Sequence, residues 1–200
     1  ADNAFAALVA EILRDGEHFG HSDAGNGQRI LLEFVSANPT GPLHVGHGRH
    51  AAYGATLGNL LEATGHHVHR EYYVNDAGRQ MQILALSVWL RYLQLLEEPV
   101  RFPDNGYRGD YILDIAGALR EMHGDALRRD AAAITADLPP DAEQGGDKEL
   151  HVDALIARAK ALLGTDAYGA VLDAALTAIL DDIRDDLADF GVAYDEWFSE

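Results

Sequence analysis

Two histidines three residues apart lie in the segment 36–49, which reads SANPTGPLHVGHGR. In a helix, His44 and His47 face one side of the first turn, and Gly46 between them lets a flat group such as a purine approach the backbone. Two imidazoles can donate hydrogen bonds to a phosphate as charge grows on its oxygens. A nearby anion raises the pKa of an imidazole, so we expect the donating form at neutral pH. The same spacing also fits two surface histidines, and without a third ligand it is weak evidence for a metal site.

The elements around this segment predict a parallel sheet. Residues 29–36 are short, apolar and β-rich, which is typical of a buried strand, and two prolines and a glycine interrupt residues 37–43. A helical pattern then covers residues 44–63, and a second strand follows at residues 67–74. Strand, loop, helix and strand form a βαβ unit with a right-handed crossover. Its loop lies at the carboxyl edge of the sheet, where ligands bind and where a helix N-terminus favours phosphate.

Glu33 places a carboxylate on this predicted strand, on the same face as Leu31 and Val35. A carboxylate on a buried apolar strand is costly unless it is paired. A guanidinium is a good partner because it forms a forked pair with a carboxylate. The partner is either a bound ligand or an internal arginine such as Arg70 or Arg49.

The rest of the chain is predicted to be mostly helical. Helical spacing of apolar residues indicates further helices over residues 3–14, 77–96, 107–123 and 168–190. Residues 138–146 (LPPDAEQGG) are the best linker candidate. Asn75 and Asp76 follow the second strand, where they either cap the next helix or face the site.

Several aromatic side chains lie in apolar patterns and are predicted to pack in the core: Tyr72, Tyr73, Trp89 and Tyr92. Tyr107 and Tyr111 are also interpreted as structural. Three histidines, His66, His67 and His69, lie at the start of the second strand, where surface positions explain them better than a metal site does.

Composition excludes several classes of protein. The 200 residues include no cysteine, which excludes a disulfide framework, thiolate zinc sites and a cysteine nucleophile. The formal charge is −18, and residues 121–200 carry 6 Lys/Arg against 19 Asp/Glu, so the chain as a whole repels nucleic acid. The apolar runs are short, and nothing resembles a secretory signal, so we expect a cytoplasmic chain with no membrane span.

Several separated segments resemble bacterial-type arginyl-tRNA synthetases. The longest is residues 33–49, EFVSANPTGPLHVGHGR, in which residues 44–47 match the class I His-x-Gly-His motif. The resemblance continues in four further segments: residues 60–65 (LLEATG), 70–78 (REYYVNDAG), 109–115 (GDYILDI) and 186–198 (DLADFGVAYDEWF). It implies an α/β fold, the first half of a Rossmann-like class I synthetase nucleotide-binding fold with a mostly helical inserted segment.

The resemblance also implies an activity and a site. The family uses ATP with Mg²⁺ to activate arginine to arginyl-adenylate, and then transfers the arginyl group to tRNA(Arg). By position in the family motif, the catalytic pair is His44 and His47, with no metal held by the protein. The residues implied for ATP are Pro39, Thr40, His44, Gly46 and His47. The residues implied for arginine are Glu33, Ser36, Asn38 and His44.

The family layout predicts four parts of the chain. These are residues 1–20 as a helical lead-in from an N-terminal tRNA-binding domain, 21–78 as the first half of the catalytic domain, 79–170 as a helical connective insertion, and 171–200 as a return to the catalytic domain. The family's Lys-Met-Ser-Lys-Ser-like loop, whose lysines hold pyrophosphate, does not occur in the sequence. We therefore expect an incomplete fragment that does not charge tRNA by itself. The alternative is a non-catalytic nucleotide-binding or regulatory module derived from a synthetase half.

Overall fold

The computed structural model describes residues 2–200, and side chains from residue 5 onward. These residues form two compact units. Unit 1 contains the described residues up to Ser36, together with His44–Tyr73 and Leu187–Ser199. Unit 2 contains Ala37–Leu43, Val74–Asp186 and Glu200.

Unit 1 is built around a small sheet. Its elements are helix α1 (Asp2–Asp15), strand β1 (Arg29–Glu33), helix α2 (Val45–Ala63), strand β2 (His67–Val74, whose last residue belongs to unit 2) and strand β3 (Glu196–Ser199). The strand order is β1-β2-β3, and β1 pairs with β2 in parallel, with Arg29 opposite His67 and Glu33 opposite Glu71. The predicted βαβ unit and its parallel pairing are confirmed.

Small residues allow α2 to pack closely within unit 1. Ala51, Gly54 and Gly58 are the buried positions of this helix. A Cβ on Gly54 would overlap the ring of Phe34, which directly follows β1, and a Cβ on Gly58 would lie 3.0 Å from Nε of Arg70 in β2. The first of these contacts leaves no room for a larger residue, and it places the middle of α2 beside the end of β1.

The prediction that β1 is a buried strand is wrong. Its residues alternate between exposed and half-buried, and Leu31 is 62% exposed. The face that carries Leu31 and Glu33 is open because no described element packs over it. The carboxylate of Glu33 therefore remains in water and has no desolvation cost that a partner must offset.

Unit 2 is helical. Its helices are α3 (Arg79–Leu95), α4 (Asp110–His123), α5 (Ala131–Thr135) and α6 (Lys148–Asp189, whose last turn belongs to unit 1). Helix α3 is buried over most of its length and packs against α4. The indole Nε1 of Trp89 donates to the carbonyl of Leu127 at 3.0 Å, and the hydroxyl of Tyr92 donates to the carbonyl of Gly124 at 2.5 Å. Core packing is thus confirmed for Trp89 and Tyr92, and in unit 1 for Tyr72, whereas Tyr73 is only half-buried.

Three parts of the structure were not predicted: the short helix α5, the first part of α6 and strand β3. The sequence pattern indicated only the second part of α6, whereas the helix extends back to Lys148 and is interrupted at Gly164, where φ is +76°. Strand β3 was also missed, because four residues are too few to show an alternating pattern. Helix α3 begins at Arg79 with Gly78 as its N-cap residue, a position that neither Asn75 nor Asp76 occupies.

One described helix, α6, is long and apolar enough to cross a bilayer, since an 18-residue window reaches a mean hydropathy of 1.2. A single helix of this kind is weak evidence against the expectation of no membrane span. Mostly buried core helices of water-soluble proteins pass the same test, whereas 28% of this window is buried inside the structure. The glycine break at position 164 also divides the helix.

Candidate functional site

The first turn of α2 is capped by its own two histidines. His44 is the N-cap residue in an extended conformation, and its Nδ1 accepts a hydrogen bond from the backbone N–H of Gly46 at 3.1 Å. In return, Nδ1 of His47 accepts from the backbone N–H of His44 at 3.3 Å. Both bonds occupy donors that the first turn of a helix otherwise leaves unpaired.

This capping pattern fixes the tautomer of both rings. A ring nitrogen that accepts a hydrogen bond carries no proton, so in the neutral form the proton of each ring is on Nε2. The two rings are stacked, with centroids 3.8 Å apart and planes inclined by 15°. The helix therefore begins with two parallel imidazoles, each of which keeps an Nε2–H donor that the cap does not use.

The pKa of His47 is lowered from its ordinary value. Burial is the largest cause, followed by the neighbouring imidazoles of His44 and His50. Without a bound anion, His47 is therefore neutral at pH 7. The expected rise of this pKa beside an anion is a prediction about the bound state.

Gly46 has a structural role in the cap. A Cβ at this position would lie 3.0 Å from Cε1 of His44 and 3.1 Å from its Nδ1. A side chain here would push the His44 ring away from the N–H that it accepts from. The glycine thus preserves the cap, in addition to the open approach that the sequence predicts.

Glu33 and Ser36 lie at and just beyond the end of β1. Glu33 is exposed, and its carboxylate has no ion-pair or hydrogen-bond partner among the described residues. The internal pair considered for it does not form, because Arg70 instead binds Glu62 at 2.8 Å and Asn59 at 3.0 Å. The Ser36 hydroxyl accepts from the backbone N–H of Tyr73 at 3.1 Å, which ties this turn to β2.

The backbone turns sharply directly after β1, at Val35 and Ser36. Val35 has φ +67° and Ser36 has φ +39°, a region that a β-branched residue such as Val35 rarely adopts. Beside this turn is an open groove of about 530 Å³, lined by Phe34, Val35, Arg49, His50 and Tyr53. None of the predicted site residues lines this groove.

The loop 37–43 belongs to unit 2 and carries the other predicted residues. Asn38 donates from Nδ2 to Oε1 of Gln80 at 2.9 Å, and Pro39 is buried. Asn38 also lines an open cavity of about 380 Å³, whose other residues are Asn75, Ala77, Gly78, Arg79, Gln80 and Glu200. Asn75 therefore lines the same cavity as Asn38. This supports the interpretation that Asn75 faces the site rather than caps the next helix.

Thr40 is contacted by two tyrosines of unit 2. The hydroxyl of Tyr111 donates to the Thr40 carbonyl at 2.7 Å, and the nearby Thr40 side chain offsets part of the rise that burial causes in the pKa of Tyr107. No sequence pattern connects these tyrosines with the loop. Tyr111 and Thr40 are 71 residues apart, and no local spacing links them.

No group of three or more His, Asp or Glu side chains suited to a metal ion occurs within the described part of the chain. His69 contacts Glu196 at 3.0 Å, and Nδ1 of His66 lies 3.1 Å from the Thr64 hydroxyl. Unit 2 has a further cavity of about 430 Å³ between residues 99–103 and the start of α6, and it contains none of the predicted site residues.

Comparisons with known proteins agree on one family. Residues 8–98 match the family model described as tRNA synthetases class I (R), catalytic domain. An arginine–tRNA ligase of Thioalkalivibrio sulfidiphilus is 60% identical over 199 residues, which cover 100% of this chain and 34% of that protein. One from Hydrogenovibrio crunogenus is 57% identical, covering 96% of this chain and 34% of that protein. The chain thus spans about a third of the length of the curated relatives that it matches.

Solved structures show the same fold. A Campylobacter jejuni protein assigned as an arginyl-tRNA synthetase superimposes with a TM-score of 0.69 and 29% identity, over 96% of this chain and 35% of that protein. The arginyl-tRNA synthetase of Thermus thermophilus gives a TM-score of 0.51 at 21% identity, which supports the fold alone. The predicted Rossmann-like class I fold with a mostly helical insertion is confirmed. The chain belongs, as a partial region, to the class I arginyl-tRNA synthetase family.

Proposed function

We propose that this chain is the part of an arginine–tRNA ligase that binds ATP and arginine for the activation step. In that step, a carboxylate oxygen of arginine forms a bond to the α-phosphorus of ATP. The bond from this phosphorus to the bridging oxygen breaks, and pyrophosphate leaves with the electron pair. The products are arginyl-adenylate and pyrophosphate, and the arginyl group then passes to tRNA(Arg). The family resemblance favours this function over a non-catalytic module.

The observation that carries the proposal is the pair of capped imidazoles at the start of α2. Each has Nδ1 bound to the backbone and keeps an Nε2–H donor. We assign both donors to phosphate oxygens of ATP, where charge grows as the α-phosphorus is attacked. The positive end of the α2 dipole acts on the same charge. Because the cap already holds both rings, they need little reorganisation when ATP binds.

The other assignments follow the family motif. Gly46, Pro39 and Thr40 contact ATP, and Glu33, Ser36 and Asn38, together with His44, contact arginine. The exposed and unpaired carboxylate of Glu33 supports its assignment, because a free carboxylate can bind a guanidinium through two parallel hydrogen bonds. Mg²⁺ enters bound to the ATP phosphates and neutralises part of their charge. The proposed setting is the cytoplasm, where ATP, arginine and tRNA(Arg) are available.

Calorimetric titration of Mg·ATP into three forms of the chain tests the role of His47. In His47→Asn, the amide oxygen occupies the position of Nδ1 and preserves the cap, but the Nε2 donor is lost. In His47→Gln, the amide nitrogen occupies the position of Nε2. We expect His47→Asn to weaken Mg·ATP binding by roughly tenfold or more, since a hydrogen bond to a charged group contributes about 1.5–3 kcal/mol. His47→Gln should retain most of the affinity.

The matched control is His69→Asn, which changes an exposed histidine of unit 1 outside the predicted site. It should bind Mg·ATP as the unsubstituted chain does. Equal affinities for His47→Asn and the unsubstituted chain would exclude the assignment, as would a chain that binds no ATP at all. Calorimetric titration of arginine into the unsubstituted chain and into Glu33→Gln tests the proposed arginine-binding residues. We expect Glu33→Gln to bind arginine more weakly.

A further inference from the structure

Two tyrosines hold the loop 37–43 from the adjacent helical segment. Tyr111, in the first turn of α4, donates its hydroxyl to the Thr40 carbonyl at 2.7 Å. Tyr107, in the loop before α4, lies near the Thr40 side chain, which lowers the pKa of its phenol against the larger rise that burial causes. Thr40 is therefore bound through its backbone carbonyl and has Tyr107 beside its side chain, and all three residues lie in unit 2.

The fit around this contact is close. A Cβ on Gly41 would lie 3.0 Å from the Tyr111 hydroxyl oxygen, so the residue after Thr40 has little room for a side chain. Both tyrosines are half-buried, and burial is the largest cause of the raised pKa of each phenol. Each hydroxyl therefore keeps its proton at neutral pH and remains a hydrogen-bond donor.

Tyr107 is itself anchored to the core of unit 2. The backbone N–H of Tyr107 donates to Oγ of Ser87 at 3.0 Å. Ser87 is fully buried in α3, and its hydroxyl donates to the carbonyl of Ile83 at 2.7 Å. The backbone of Tyr107 is thus tied to the most buried helix, and this fixes the position of its side chain beside Thr40.

We infer that Tyr111 is a positioning residue for the ligand-binding loop, and that Tyr107 assists it. This inference rests on the proposed function, since it is the proposal that makes Asn38, Pro39 and Thr40 ligand contacts. The Tyr111 hydroxyl is bound to the Thr40 carbonyl, and it is not assigned a substrate contact. It acts through Thr40, because holding the Thr40 carbonyl fixes the peptide plane between Thr40 and Gly41. This in turn restricts the direction in which Asn38 and Thr40 present their polar atoms.

The test compares Tyr111→Phe with Tyr92→Phe. Each removes one hydroxyl that donates to a backbone carbonyl of unit 2, and Tyr92 also accepts from the N–H of Leu127 at 3.3 Å. We expect Tyr111→Phe to weaken Mg·ATP binding roughly three- to tenfold, which corresponds to the loss of one hydrogen bond. Tyr92→Phe should lower the melting temperature at least as much and leave the affinity for Mg·ATP unchanged. If Tyr111 had a purely structural role, the variant with the larger fall in melting temperature would also show the larger loss of affinity for Mg·ATP.

A spectroscopic measurement separates this inference from the proposed function. The amide signal of Gly41 reports the peptide plane that contains the Thr40 carbonyl, so Tyr111→Phe should shift or broaden it and Tyr92→Phe should not. If the unsubstituted chain binds no Mg·ATP, the proposed function fails, and a change in this signal confined to Tyr111→Phe still supports the positioning role. An unchanged Gly41 signal, or unchanged affinity in a chain that does bind Mg·ATP, overturns the inference.

Discussion

Each imidazole at the start of α2 uses one nitrogen for the backbone and keeps the other available for a ligand. The type and spacing of these residues were sufficient to predict that they would lie together. Their tautomers were not predictable, because these depend on the capping geometry. The environment of Glu33 was predicted wrongly, since the sequence does not show that the outer face of β1 is uncovered. The contact between Tyr111 and Thr40 is a long-range consequence of the fold.

The lowered pKa of His47 makes folding stability depend on pH. The unfolded chain has the higher pKa, so it binds a proton first as the pH falls. The contribution of neutral His47 to stability is therefore complete above about pH 6.5 and is lost as the pH falls through the lower folded pKa. Between pH 7.5 and pH 5, the free energy of unfolding measured in urea should fall more for the unsubstituted chain than for His47→Asn. Identical losses in the two proteins would contradict this.

At the scale of elements, α2 depends on small residues where it passes the end of β1. Gly54→Ala would place a methyl group inside the ring of Phe34, and the overlap includes the Phe34 Cβ, so a change of rotamer alone cannot relieve it. We expect it to lower the free energy of unfolding by about 1–3 kcal/mol, the usual cost of overpacking. Denaturant titration measures this change.

Gly48→Ala, in the same helix, is the matched control. A Cβ at Gly48 meets no atom within 4 Å, so alanine gains helix propensity without a clash. It should raise stability by up to about 1 kcal/mol. If both alanine variants are equally stable, the close packing of α2 against Phe34 is not a determinant of this unit.

Predictability from sequence differs among the elements for physical reasons. Helix α2 and strand β2 follow from periodic apolar residues and a glycine stop. The first part of α6 was missed, although Val152, Leu155, Ile156 and Ala159 have helical spacing and are buried. Gly164 breaks the periodicity between the two parts and conceals their continuity. Strand β3 depends on pairing with β2, which a four-residue stretch does not reveal.

At the scale of the whole molecule, the formal charge of −18 opposes the binding of a polyanion. ATP binding depends on a local site, whereas tRNA binding requires many basic phosphate contacts. We expect the chain to bind Mg·ATP at an ionic strength of about 0.15 M but not to retain tRNA. Lowering the salt concentration should not restore tRNA binding, because weaker screening increases the repulsion. Fluorescence anisotropy with labelled tRNA measures this, and an affinity that rises as salt falls would refute it.

The bond between Tyr111 and Thr40 ends on a backbone carbonyl, which every amino acid possesses. Replacement of Thr40 therefore leaves this acceptor intact, whereas replacement of Tyr111 by a residue without a phenol removes the donor. The two positions should consequently differ in mutational tolerance over evolutionary time. Drift at position 40 would cost the contacts of the Thr40 side chain but not the carbonyl that Tyr111 binds, while selection should hold position 111 to tyrosine.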